Sequence, residues 1–491
     1  MKKIMKQYLQ LSLTALLLFS LSAMKGQKVS PLEEAWIKLA KPFQSTYLSL
    51  TFSERRSELE PNYAPWQVTP YKIKGTVWCN AENFMKHDSI VFGRRTYQSK
   101  TQYNSSTLLW QNYNSQLLSP VPKIMFDSYL LQTARYTPVM LLDYFKKKNI
   151  APSINGNSYY TLYTATIDKK VVSLFIKNSD NMLYQASMLE SDEMYGDVLT
   201  SISYNDYMLL NNIMYPSKIS IGKYNSKVMD EVLVSRVESV PSASPLLNKP
   251  SNYSYTTEVI VKPALSVEKH SDNIHFITLK HTDHKVMVVE FKDFLVVAEA
   301  PLNSANGELI INEAKKIAPG KPIRYFVFGT HHPNSIGGIR AFVSEGAKII
   351  VPQPTSAYAK YLAVAPHKLN PDILERQPKA IMIDTMKSDM KLISDGKFDM
   401  KIYLIGEKSK YTGDYLLYYF PSEKLVFEDE MILMHTRAKS SKARQRQVAL
   451  YNYIKEKKLD VQTIVQSAYA TSKDFKSVIT FEELEKSVTG K

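Results

Sequence analysis

Cysteine is almost missing from this sequence, with Cys79 the only one in 491 residues. A lone cysteine excludes an intramolecular disulfide and any thiolate metal cluster, and its expected role is that of a small buried apolar side chain. Beyond residue 26 no stretch is long and apolar enough to span a bilayer. Internal repeats are absent. So are a phosphate-cradling glycine loop, a dinucleotide fingerprint, a G-x-S-x-G nucleophile elbow and an H-E-x-x-H helix. The chain is basic, at +15, or +11 without the four lysines of residues 1–26. Its basic residues are not clustered with aromatics, so nucleic acid is not an expected partner. The modest run Lys439–Arg446 falls on a predicted helix and reads as a solvated face, with only unspecific attraction to an anionic membrane surface or glycan.

What is present divides the chain into four parts. Residues 1–26 read as a signal peptide: Lys2, Lys3 and Lys6 precede an apolar stretch, 9–21, and the small residues Ser22, Ala23 and Gly26. Cleavage between Ala23 and Gln27 leaves no cysteine for a lipid anchor, so the mature protein is expected to be exported, soluble, and periplasmic or extracellular. Residues 31–240 read as a strand-rich domain. It opens with an amphipathic helix at 31–45, and from about residue 71 it shows alternating strands such as 159–167, 171–176, 182–188, 198–204 and 228–237. One helix, 139–148, interrupts them. A curved antiparallel sheet is expected, and most of the chain's 32 tyrosines fit its strand propensity. The run 241–257, rich in Pro, Ser and Asn, reads as a linker.

Residues 258–491 change pattern. Strands are expected at 274–279, 285–291 and 294–299, then a helix at 307–318, then the unit 323–352. There a buried strand (323–328) leads into a turn carrying His331, His332, Gly337 and Gly338. A helix with Ile339, Phe342 and Val343 on one face follows, ended by Gly346, and a second buried strand begins at Ala347. A right-handed strand–helix–strand unit places its ligand loop at the C-terminal end of the first strand. A helix at 356–363, strands at 380–384, 400–405, 415–420 and 425–427, a basic helix at 439–457, a strand at 463–467 and a helix at 481–487 complete the reading. The fold class is α/β, with two packed sheets and helices outside, preceded by a mainly antiparallel β domain.

The segments KVMVVEFKDFLVVAEAPL (285–302), KPIRYFVFGTHH (321–332) with SIGGIRAFVSEGAKII (335–350), and YTGDYLLYYFPSEKLVFEDEMI (411–432) resemble the metallo-β-lactamase superfamily, a four-layer αβ/βα sandwich. The segment DEMYGDVLTSISYNDYMLLNNIMYPSKI (192–219) is similar to the lipoprotein-carrier-like sheets that precede such domains in some exported members. The resemblance implies one or two zinc ions held by an H-x-H-x-D-H loop before a Gly-Gly pair, and hydrolysis by metal-bound hydroxide. Aligned on the glycines, the ligand positions here are Thr330, His332, Asn334 and Ser335, with His331 on a spacer. The third-strand histidine position is Tyr411, the bridging aspartate is Glu430 with Asp429 beside it, and the last histidine falls near Ala468.

Thr, Asn, Ser, Tyr and Ala are poor zinc ligands. The expectation is therefore a metal-free module without hydrolase activity or cofactor, binding an unidentified small molecule, lipid or glycan. The alternative is a divergent hydrolase with a rebuilt or single-metal site, in which His331 and His332 act as acid or base with Glu430 or Asp429 and Tyr411 completes the set. A third reading is adhesion to a polyanionic surface. The cluster His281-Thr282-Asp283-His284 reads as a polar hairpin turn that can approach the site mouth. Residues do not determine the oligomeric state.

Overall fold

The computed structural model describes residues 29–490 except 60–61, 93, 105–106, 112–117, 120, 122–128, 154, 244–246, 250, 252–261 and 438–442. The expected signal peptide, much of the linker and part of the basic run lie outside the described residues. No helix among the described residues is long and apolar enough to cross a membrane.

Twelve antiparallel strands between Tyr47 and Val240 form the first sheet. Two meanders build it. One runs outward from Tyr47–Glu58 to Leu118–Ser119, the other inward from Tyr160–Ile167 to Val228–Val240. The first and last of these strands pair at the centre, Tyr47 opposite Val240 and Leu50 opposite Val237. Alternation buries Leu48, Leu50 and Phe52 on one face, against the helices Pro31–Leu39, Tyr129–Thr133 and Val139–Lys147. Ser30 caps the first helix by accepting from Glu33 N (3.2 Å), and Leu32, Ala35 and Leu39 turn inward. Cys79 lies in this core, buried and free.

The alternation continues inward with a charge, which is why strand Tyr47–Glu58 does not read as one from its pattern. Glu54 is buried and accepts from Arg56 Nε (2.9 Å), Arg135 Nε (2.9 Å) and Tyr136 Oη (2.8 Å). Arg135 also reaches Asp230, which takes Ser57 N (2.7 Å) and pairs with Lys223 (3.2 Å). Burial pushes the Glu54 carboxyl up, but Arg135 and Arg56 outweigh it and hold it at about 2.

The rest of the chain forms two sheets, one of seven strands from Leu265–Lys269 to Met382–Met386 and one of six from Met390–Ser394 to Val478–Thr480. Side chains of both make one core: Phe276, Met287, Val289, Val296 and Val327 from the first, Met400, Ile402, Leu416, Tyr418 and Phe427 from the second. The outer face of the seven-stranded sheet is covered by helices Ser304–Ile317, Ile339–Glu345 and Ser356–Val364. Helices Gln445–Glu456 and Phe481–Thr489 cover that of the other sheet. Helix, sheet, sheet, helix is a four-layer αβ/βα sandwich.

Several boundaries differ from those expected. The helix expected at 307–318 begins at Ser304, because Asn303 accepts from Asn306 N (3.0 Å). The basic helix expected from 439 is described from Gln445, where Gln447 Oε1 accepts from Arg444 N (3.3 Å). Strands Leu265–Lys269, Met390–Ser394 and Val478–Thr480 lie at sheet edges, where weak burial leaves no strong pattern.

Candidate functional site

Strand Ile323–Val327 delivers Gly329, Thr330, His331 and His332 to the sheet end. Pro333 opens a one-turn helix, Pro333–Ile336, with its fixed φ, and His332 sits at the cap position. Asp414 and Tyr415 arrive from the start of strand Leu416–Phe420, and Asp429 and Glu430 from the end of Leu425–Glu428. A cavity of ≈ 520 Å³ forms here, walled in part by Thr282, Asp283, His284, Asn334, Tyr469 and Ala468. The strand-rich domain supplies the opposite wall through Leu59, Ala64, Trp66, Gln67 and Tyr195.

The expected site residues do converge, but with partners other than those expected. Asp429 is buried, and its Oδ2 accepts from Thr330 Oγ1 (3.1 Å) and Ser335 Oγ (2.9 Å). Burial and the neighbouring Glu430 push its carboxyl up to about 6. Neither histidine pairs with Glu430 or Asp429. His331 instead donates from Nδ1 to Asp414 Oδ1 (3.0 Å), a carboxylate that also accepts from Thr355 Oγ1 (2.7 Å). His332 donates from Nε2 to Asn62 O (3.1 Å), on the strand-rich domain. Tyr411 gives its hydroxyl to Glu430 (3.0 Å) under the Arg446 guanidinium, which lies 4.0 Å from the ring centre. Tyr469 donates to the other Glu430 oxygen (3.2 Å). Asn334 lines the cavity, as do Asp283 and His284, whereas His281 turns away to Asn306 (2.8 Å).

Behind this layer two more carboxyls are fully buried. Glu299 accepts from Gly329 N (2.8 Å) and is raised well above the usual range by burial and Asp429. Glu428 accepts from Tyr415 Oη (2.6 Å) and Met431 N (2.7 Å), and burial pushes it up to about 8. Glu299 Oε2 and Glu428 Oε1 have no partner among the described residues. The backbone is strained around the same place: Trp66, Glu299, Leu302 and Tyr469 all hold left-handed φ values, between 61° and 75°.

Asp414, Asn62, Trp66 and Tyr358 do not stand out in the sequence. Asp414 alone left a signal, as the acid that follows Thr412 and Gly413 immediately before a buried strand.

The residues present do not fit zinc. Thr330 and Ser335 spend their hydroxyl hydrogens on Asp429, and His332 points an N–H rather than a lone pair at its partner. Tyr411 keeps its proton, since burial and Glu430 push the phenol far up. Among the described residues no three of His, Cys, Asp and Glu are grouped to hold a metal ion.

One pH response follows from His332. Burial, then the adjacent His331, lowers it from 6.5 to about 4. The unfolded chain therefore binds a proton that the folded chain refuses, so stability falls as pH drops from 6.5 and levels off near 4. His332→Gln keeps an N–H for Asn62 and cannot titrate. Urea unfolding at pH 7 and pH 4.5 should show the wild type losing roughly 2 kcal/mol more than this variant. Equal losses would remove His332 as the cause.

No protein-family model matches the chain, and no curated protein matches it. Solved structures similar to part of it include a metallo-β-lactamase from Pontibacter korlensis, 15% identical, covering 46% of this chain and 98% of that one at a TM-score of 0.34. The FIM-1 metallo-β-lactamase of Pseudomonas aeruginosa in its mono-zinc form is 16% identical, over 46% of this chain and 93% of that one, at 0.33. The inverting sec-alkylsulfatase Pisa1 of a Pseudomonas species is 11% identical over 45% of this chain and 41% of that one, at 0.32. All three likenesses cover under half of this chain, whose four-layer sandwich stands on its own sheet order and core.

Proposed function

We propose that this is an exported, metal-free protein of the metallo-β-lactamase fold, without hydrolase activity, serving as a binding or structural module. The observation that carries the reading is the Thr330–Asp429–Ser335 cluster. Where the resembled family places ligands of a metal, hydroxyl donors close on a buried carboxylate. These bonds satisfy Oδ2 of the carboxylate without a metal ion. The cavity beside it stays large enough for a small ligand. Elemental analysis after dialysis of protein incubated with zinc should find substoichiometric metal, and a chromogenic β-lactam and an aryl sulfate should not turn over. Stoichiometric zinc that survives dialysis overturns the reading.

The alternative, a divergent hydrolase with a rebuilt site, draws support from one pair. Asp414 fixes the proton of His331 on Nδ1, leaving Nε2 as a potential base at the cavity wall. Metal-independent turnover of an ester that is lost in both His331→Gln and Asp414→Asn would favour it.

A further inference from the structure

The walls of the cavity differ in sign from what a β-lactam, sulfate or phosphate ester requires. Three carboxylates line it, Asp283, Asp429 and Glu430, and no lysine or arginine does. Burial lowers His332 and His284, so these two histidines do not offset them. Arg446 stacks on Tyr411 and offsets Glu430, whose carboxylate its Nη1 faces at 3.8 Å, whereas Asp283 and Asp429 have no ion pair among the described residues.

Two of the most buried polar groups in the wall keep an atom free. Asp429, 3% exposed, uses only Oδ2 within the protein, so Oδ1 has no partner among the described residues. His331, 6% exposed, uses only Nδ1, and Nε2 has none. Asp429 Oδ1 accepts hydrogen bonds, and so does His331 Nε2 when that ring is neutral with its one proton on Nδ1.

Five aromatic side chains make up much of the remaining wall: Trp66, Tyr195, Tyr358, Tyr411 and Tyr469. Trp66 packs 5.4 Å from Tyr195 and 5.3 Å from Tyr358 between ring centres. This cluster already attracts a cation, since Lys227 Nζ lies 5.8 Å from the Trp66 ring and 5.5 Å from Tyr361. Ring faces, a free carboxylate oxygen and a net acidic wall all favour one ligand charge.

From this geometry we infer that the cavity binds small organic cations, ligands carrying a protonated amine beside an apolar or aromatic body, and rejects anions. The ammonium pairs with Asp429 at Oδ1, and a neutral His331 adds Nε2 as a second acceptor. The body of the ligand lies against Trp66 and Tyr195. The inference rests on the reading of the site as a binding cavity and adds the class of ligand.

Three probes of one shape separate charge from shape: phenethylamine, phenethyl alcohol and phenylacetate. Binding to the full chain at pH 7.5 is followed by saturation-transfer NMR and by competition. The amine is expected to bind at millimolar concentration, at least about tenfold more tightly than the carboxylate. Asp429→Asn should remove that preference, and Trp66→Leu should weaken the amine and the alcohol alike. Unfolding curves of both variants establish that they are folded. Should Asp429→Asn not fold, Glu430→Gln and Asp283→Asn, at the cavity rim, should each reduce the preference instead.

Phenylacetate binding as well as the amine, or a preference unchanged in these variants, overturns the inference. So does a folded wild type that binds none of the three. Binding of the alcohol without preference for the amine overturns the ligand class while leaving the binding cavity standing. Stoichiometric zinc would overturn the underlying reading separately.

Discussion

Gly337→Ala should cost about 4 kcal/mol or more, enough to unfold the sandwich under mild conditions. A Cβ at this position would lie 2.3 Å from Leu302 C and 2.4 Å from Leu302 O. Both are backbone atoms, so no rotamer change relieves the overlap. Nor can the segment retreat. Ala300 N donates to Ser335 O (2.9 Å), Leu302 N to Pro333 O (2.8 Å) and Gly338 N to Ala300 O (2.8 Å), stitching 300–302 to the loop. Gly320→Ala is the control, because its Cβ meets nothing within 4 Å and only its φ of 84° opposes the change. That control should cost about 1 kcal/mol. Urea unfolding of both decides the matter, and a Gly337→Ala loss as small as the control's would refute the contact argument.

Arg135→Met should destabilise the strand-rich domain by about 3–5 kcal/mol, because it strands two buried carboxylates. Glu54 and Asp230 side chains are both fully buried, and Arg135 bridges them. Arg56 and Lys223 remain but each serves only one of the two. The loss should carry a pH signature. In the wild type Glu54 is held at about 2 against 4.5 unfolded, so its contribution is full above 4.5 and fades as pH falls towards 2. The variant has lost much of that contribution already, so the gap between the two should narrow between pH 7 and pH 3. A gap independent of pH would assign the effect to lost packing.

The parts of this fold that were legible in the sequence are those where burial and periodicity agree. Val286–Val289, Leu295–Ala298 and Leu416–Phe420 are continuous apolar runs because both faces of their sheets are covered. The turn with Gly337 and Gly338 could be placed because only glycine fits the approach of Leu302 and Ala300. The placing of Thr330, His332, Ser335, Tyr411 and Glu430 around one site was an implication of the family resemblance rather than of local pattern. Their partners were implied by neither. Asp414 meets His331 across 83 residues, and Asn62 meets His332 across 270, separations over which local pattern carries no information. Strand Tyr47–Glu58 stayed hidden because its inward positions include Glu54, whose partners Arg135 and Tyr136 lie 81 and 82 residues along the chain. Charge that is paired only in the folded chain looks in sequence like a solvent face.

The segment Asn62–Gln67 belongs by chain to the strand-rich domain and by contact to the sandwich. Asn62 takes the His332 N–H, Gly413 N donates to Tyr63 O (2.8 Å), and Trp66 is inserted among Tyr195, Tyr358 and Tyr361. A ligand in this cavity is therefore held by two bodies at once, and its affinity includes the free energy of keeping them together. Reciprocity then requires occupancy to strengthen the joint, by RT ln(1 + [L]/Kd). On the binding reading proposed above, the cavity would act as a clutch, engaged by a ligand that fills it and released by anything that draws the sheet away.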